Sequence, residues 1–294
     1  MGEIQSQKVV VITGCSSGIG LETAIACAKE GHKVFATMRN LNKKEKLEKR
    51  IKDEKLENIE ISELDVSDAD SIVNEIAKIA RKMGKIDVLF NNAGFMVMGS
   101  LEDSTINEIR EQINTDLMGP IHVTKQALPH MQSGDEPGLI INMSSIAGRI
   151  GFGLTTSYCA SKFGIEGFTE SLRGEMLTRN VNVVLIEAGI THTDFFKNTK
   201  RTSQSYNSNY AKDTQMMEDL IKIIENEPVW TTPQMIAEKI VKEIIPKNGE
   251  KFRYVIGNDA QFLINGFYNC KEDIKCIDKM IISIMNDYLT SGKQ

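Results

Sequence analysis

Residues 8–13 read Lys-Val-Val-Val-Ile-Thr, a β-branched run without polar alternation, and the chain then turns through Thr13-Gly14-Cys15-Ser16-Ser17-Gly18-Ile19-Gly20 into a helical pattern. A strand that is apolar at successive positions must be covered on both faces, the condition of a parallel sheet between layers of helices. The glycines let the main chain turn sharply and approach a pyrophosphate, whose charge the free N–H groups and positive end of the following helix would stabilise. Residues 21–29 read as that helix, Gly31 ends it, and residues 33–38 resume the strand pattern. That makes one βαβ unit.

The alternation continues. Strand patterns recur at 59–64, 86–90, 139–143, 181–186 and 253–256, separated by helical patterns at 67–83, 106–131, 157–178 and 233–245. Residues 42–57, crowded with Lys and Glu, add a solvated helix. The pattern predicts an α/β fold, a doubly wound parallel sheet (Rossmann fold) with a C-terminal helical extension, whose ligands gather beyond the carboxyl ends of the strands. No linker-like composition divides the chain, so residues 1–294 are expected to form a single domain. The polar stretch 191–230 is too long for an ordinary connection and is expected to act as a substrate lid. Residues 258–294 form the extension, where Ile277, Met280, Ile281, Ile284 and Met285 make an apolar helical stripe suited to docking on the parent domain or a partner subunit, with a membrane-surface helix as the alternative.

Composition narrows the function classes. With 35 basic against 40 acidic side chains, the net charge of −5 does not suit a nucleic-acid binder. The five cysteines show no CxxC pair and no Cys/His cluster of zinc spacing, so no metal site is expected and a reducing compartment, the cytoplasm, is. The apolar runs are too short for a transmembrane segment, and no secretory signal is present. Residues 1–6 fit the short myristoylation template.

Tyr158 and Lys162, four apart on a predicted helix, share one face, so the ammonium can favour the phenolate of a tyrosine that would otherwise titrate near ~10. Together with the TGxxxGxG turn and Asn91-Asn92-Ala93-Gly94 after the fourth strand, Tyr158-Cys159-Ala160-Ser161-Lys162 resembles the short-chain dehydrogenase/reductase family. The likeness extends from about Lys8 to Ile256, nearest to the compact reductases of steroids, retinoids and related carbonyls. It implies that Tyr158 is the general acid/base and that Lys162 also holds the nicotinamide ribose. Ser145 would hydrogen-bond the substrate oxygen, with Ser144 pointing to the other face of the strand.

The resemblance assigns Gly14, Ser16, Ser17, Gly18, Ile19 and Gly20 to the pyrophosphate, and Asp65 with Val66 to the adenine. Asn91, Ala93 and Gly94 would line the ribose, with Asn92 stabilising the sheet. Gly189, Ile190, Thr191 and Thr193 would form the nicotinamide loop. Arg39 follows the second strand where NAD-binding relatives carry an acid, which favours NADP(H) over NAD(H). Two positions depart from the pattern. Asp116 replaces the asparagine credited with a water relay to the lysine, and Ala188 replaces a proline in the nicotinamide loop. His192 is expected to be an incidental loop histidine.

The expected activity is hydride transfer between NADP(H) and a carbonyl or secondary alcohol. Phe95, Met96, Val97, Met98, Phe152, Leu154, Phe195 and Phe196 suggest an apolar mouth for a hydrophobic small-molecule substrate. The alternative is a catalytically weak NADP(H)-bound sensor or scaffold, motivated by Asp116 and Ala188. The resemblance also implies a homodimer or homotetramer built on helices 106–131 and 157–178.

Overall fold

In the first strand, β1 (Val9–Ile12), every side chain is buried, as a strand covered on both faces requires. The computed structural model describes residues 6–132, 136–206, 208–226 and 231–270, with residues 273, 275, 276 and 279. Helix α1 (Gly18–Lys29) leads from the glycine turn to β2 (Lys33–Met38), followed by α2 (Glu45–Asp53), β3 (Ile59–Glu63), α3 (Ala69–Met83) and β4 (Val88–Asn91). A two-residue strand, β5 (Val97–Met98), precedes α4 (Ile106–Ile113) and α5 (Gly119–Met131). Then come β6 (Gly138–Met143), α6 (Thr156–Met176), β7 (Val181–Ala188), β8 (Lys200–Arg201), α7 (Ala211–Asn226), α8 (Pro233–Lys239), β9 (Arg253–Ile256) and α9 (Asn258–Asn269).

Seven strands form one parallel sheet in the order β3-β2-β1-β4-β6-β7-β9, the doubly wound fold expected from the sequence. After β3 at one edge the chain returns to pair β4 with the free side of β1, so the strand order reverses there. A crevice opens at such a reversal, beyond the carboxyl ends of β1 and β4. Side chains of β1 alternate between two cores. Val10 and Ile12 pack with Leu21 and Ile25 of α1 and Ile236 of α8, while Val9 and Val11 pack with Ile72 and Ile76 of α3, Val123 of α5 and Leu172 of α6. Each large apolar side chain buried in this way contributes about 1.5–3 kcal/mol before the cost of ordering it.

Local chemistry sets several helix ends. Asp68 accepts from the N–H groups of Asp70 and Ser71 to start α3, and Gly84, at φ 77°, ends it. Thr105 and Glu108 form a reciprocal capping box at the start of α4.

Three findings differ from the sequence reading. The predicted helix 106–131 is two α-helices joined by a π-helical turn, Asn114–Met118, and a second such turn, Ile240–Ile244, follows α8. The stretch 191–230 carries regular structure: β8 pairs with β5, and α7 follows. Cys270 and Cys276 form a disulfide, whereas the spacing of the cysteines had suggested a chain kept reduced. Cys15, Cys27 and Cys159 are free and buried. The myristoylation template, apart from Ser6, and the apolar stripe 277–285 lie outside the described residues. No helix among the described residues is long and apolar enough to cross a membrane.

Candidate active site

The loops leaving β1, β4, β6 and β7 open into one cavity of about 1090 Å³. At its floor the glycine turn is tightly held. Thr13 Oγ1 accepts from the main-chain N–H groups of Asn92 and Ala93, both at 3.0 Å, and Asn92 Nδ2 donates to the carbonyls of Thr13 and Gly14. Gly14 adopts φ 76°, and a Cβ on it would come within 2.8 Å of Ala93 Cα. Ser17 stands extended before α1 without capping it through its side chain, and Ser16, Ser17, Gly18 and Ile19 line the cavity there. An uncapped helix start beside a glycine turn fits the pyrophosphate of a dinucleotide.

Gly20, expected to touch this ligand, does not line the cavity. A Cβ there would meet Asn92 Nδ2 and the Gly14 carbonyl oxygen at 2.5 Å, so its role is close packing of helix against turn. Of the two asparagines, Asn92 ties the end of β4 to the end of β1, as expected, while Asn91 departs from expectation. Asn91 is buried behind the cavity, where its Nδ2 donates to Thr124 Oγ1 at 2.9 Å and Asn142 Oδ1 at 2.8 Å, while Asn92 reaches the cavity wall. The alternation of a strand puts neighbours on opposite faces, and Asn91 takes the inner one.

Arg39 lines the cavity beyond β2, joined by Asn40 and Lys43. Those two were missed by sequence reasoning, and Lys43, four residues after Arg39 and of the same charge, was the available signal. Leu64, Asp65 and Val66 line the same end. Asp65 Oδ1 accepts from both the N–H and the hydroxyl of Ser67, so this aspartate also shapes its own turn.

Across the cavity, Tyr158 and Lys162 project from one face of α6, and the Lys162 Nζ lies 5.6 Å from the centre of the Tyr158 ring. Ser145 lines the cavity with Tyr158 and pulls the phenol pKa down, and Ser145 Oγ accepts from the Ala147 N–H at 3.1 Å. Ser144 is buried beside Gly148 and Glu166. Lys162 Nζ donates to the Met143 carbonyl at 3.2 Å and lies 3.3 Å from Asp116 Oδ2. Asp116 sits in the π-helical turn, 1% exposed, and its Oδ1 accepts from the Phe95 N–H at 3.1 Å. It does not line the cavity; it backs the lysine that does.

Burial pushes the Tyr158 phenol up, Lys162 pulls it down, and Asp116 pushes it up again, so the net direction within the protein is upward. The sequence had suggested that the lysine would win. Burial works against the Lys162 ammonium, yet Asp116 and Tyr158 hold its pKa above the usual lysine value. Burial lifts the Asp116 carboxyl, against the pull of Lys162 and of the Phe95 N–H.

Gly189, Ile190, Thr191 and Thr193 line the cavity after β7, and the loop is firm without the proline that Ala188 replaces. The Gly189 N–H donates to the Ile256 carbonyl at 2.9 Å, the Ile190 N–H to Asp259 Oδ2 at 2.6 Å, and Thr191 Oγ1 to the Gly189 carbonyl at 3.0 Å. Asp259, in the first turn of α9, belongs to no motif that would have pointed to it. His192 is exposed, as expected of an incidental histidine.

Phe95, Met96, Phe152, Leu154, Phe195 and Phe196 line an apolar part of the cavity, with Met216, Met217, Leu220 and Ile221 of α7 and Leu263 of α9. Val97 and Met98, expected beside them, are buried in the short β5–β8 pairing instead. The Phe195 ring stands 5.8 Å from the Tyr158 ring, so the apolar chamber meets the serine, tyrosine and lysine directly.

A seven-stranded parallel sheet with a glycine turn at one strand end and this Ser-Tyr-Lys group opposite defines a nucleotide-dependent oxidoreductase. The model of the short chain dehydrogenase family matches residues 8–204, and the chain belongs to that family. It is accordingly an enzyme that transfers hydride to or from a nicotinamide dinucleotide. The chain is 34% identical to an uncharacterized oxidoreductase, YusZ, of Bacillus subtilis over 261 residues, 88% of this chain and 92% of that protein. It is 33% identical to a 3-ketodihydrosphingosine reductase of Bacteroides thetaiotaomicron, over 87% of this chain and 90% of that protein. A short chain dehydrogenase/reductase from Burkholderia phymatum, solved in complex with NAD, shares the fold at a TM-score of 0.79 and 20% identity, covering 92% of this chain and 96% of that one.

Proposed function

We propose that this protein is an NADP(H)-dependent reductase or dehydrogenase acting on the carbonyl or secondary alcohol of a hydrophobic substrate. The observation that carries the reading is the position of Ser145, Tyr158 and Lys162, where the polar half of the cavity meets the apolar half. When bound, the dinucleotide supplies or accepts the hydride. Ser145 and Tyr158 donate hydrogen bonds to the substrate oxygen and stabilise the negative charge that grows on it during reduction. Tyr158 gives its proton to that oxygen, and in the reverse direction takes it back. Lys162 would hold the nicotinamide ribose, and its ammonium stands beside the phenol, paired with Asp116.

Arg39 and Lys43 support NADP(H), because no acid follows β2 to repel a 2′-phosphate and two cations line the cavity there. The phenylalanines and methionines support an apolar substrate, and a relative's name, 3-ketodihydrosphingosine reductase, describes a long-chain ketone. We infer that the enzyme works in the cytoplasm, where Cys270 and Cys276 would be kept as thiols, and that it is a homodimer or homotetramer. Ile106, Met118 and Phe163, exposed along the helices expected to pair, support the assembly.

NADPH oxidation with a panel of aliphatic, aromatic and steroid or retinoid carbonyls tests the reading. Turnover that falls at least a hundredfold in Tyr158→Phe is the expected result, with NADPH used in preference to NADH and that preference reversed in Arg39→Asp. Tight cofactor binding with no turnover on any carbonyl would leave the sensor or scaffold in its place.

A further inference from the structure

The ion pair between Asp116 and Lys162 is not needed to build the site. An asparagine at 116 would keep the hydrogen bond from the Phe95 N–H through its amide oxygen and would add no charge. The aspartate brings a full carboxylate to a place without solvent, one side chain away from the acid/base tyrosine. The π-helical turn Asn114–Met118 carries it there by inserting one residue between α4 and α5. Gly94 leaves it room, since a Cβ at 94 would stand 2.8 Å from Asp116 Oδ2.

We propose that Asp116 sets this site to work as a reductase: its carboxylate offsets the Lys162 ammonium, and Tyr158 is held as a proton donor well into the alkaline range. The inference rests on the reading of Tyr158 as the acid/base group. Reduction needs the phenol, whose proton goes to the substrate oxygen, and oxidation needs the phenolate, which takes that proton. A lone buried ammonium beside the ring would favour the phenolate. Paired with a carboxylate at 3.3 Å, it presents little net charge to the phenol. The overall equilibrium constant is untouched; what moves is the pH range over which each direction runs well.

The other groups around the phenol do not restore the lost charge. From α6 come Lys162 itself, the buried Cys159 and, one turn beyond the lysine, Glu166. Glu166 is paired with Arg253 of β9, which also reaches Glu187 of β7. From β6 and the turn after it come the Met143 carbonyl and the Ser145 hydroxyl, and from the loop after β7 the neutral Phe195 ring. Burial and Asp116 both lift the phenol, against Lys162.

Asp116→Asn tests the assignment by two measurements. In the first, the alkaline limb of kcat/KM for carbonyl reduction is followed against pH; in the variant it should move to lower pH by about one unit or more. In the second, the protein without cofactor is titrated by phenolate absorbance, wild type minus Tyr158→Phe and Asp116→Asn minus its own Tyr158→Phe double variant. The difference titration should move in the same direction. A limb or a titration that stays in place overturns the proposal, because a merely structural aspartate would change rates without moving either. If thermal melting shows that the Asn variant does not fold, Asp116→Ser takes its place in both. A wild type that turns over no carbonyl would overturn the functional reading, and the phenol titration alone would then decide the role of Asp116.

Discussion

Thr13 shows how much a single side chain at the end of a buried strand can hold. Its hydroxyl oxygen accepts two main-chain N–H groups from the β4 loop and thereby fixes the separation of two loops that line the cavity. Thr13→Val keeps the shape and leaves both N–H groups without that acceptor. The expected cost is about 1–3 kcal/mol, read by urea unfolding, with a weaker cofactor Kd. At this scale the sequence was most informative where chemistry forces spacing. Tyr158 and Lys162 had to share a helix face, and the serine that meets the phenol is Ser145 rather than its neighbour. It was least informative where only the pleat decides, as with Asn91 and Asn92. Asp259 was invisible because its partner, the Ile190 N–H, lies 69 residues away in the chain.

Elements with an uninterrupted pattern were legible to within a few residues. The runs at 33–38 and 253–256 coincide with β2 and β9, since β-branched and aromatic side chains in a covered sheet leave little ambiguity. The π-helical turns were not, because one inserted residue barely disturbs a 3.6-residue periodicity while changing which side chain faces inward. The two-residue strands β5 and β8 are too short for any periodicity, and their pairing is fixed by tertiary contact. Between α1 and the turn before it, packing leaves no slack. Gly20→Ala should destabilise the protein by about 1–3 kcal/mol, since its Cβ would meet a main-chain oxygen at 2.5 Å. Calorimetry would show the lower Tm, and cofactor titration the accompanying loss of affinity.

For the molecule as a whole, the sheet carries the dinucleotide chemistry and residues after β7 complete the apolar chamber. Met217 of α7 lines that chamber far along the chain from the glycine turn. Met217→Glu is therefore expected to raise KM for an apolar carbonyl at least tenfold while the KM for NADPH changes less than twofold, measured by initial rates with each reactant varied in turn. The sequence pattern indicated that a covering segment exists without indicating that a helix forms it, since the polar composition of 191–230 masks the methionines that face inward. The β5–β8 pairing has a wider consequence. Main-chain hydrogen bonds from Lys200 and Thr202 to Met96 and Met98 moor the covering segment beside β5, and beyond that mooring α7, with Leu263 of α9, supplies part of the inner wall. Exchanging α7 downstream of that anchor is therefore expected to change which carbonyls fit the chamber while leaving Ser145, Tyr158 and Lys162 in place.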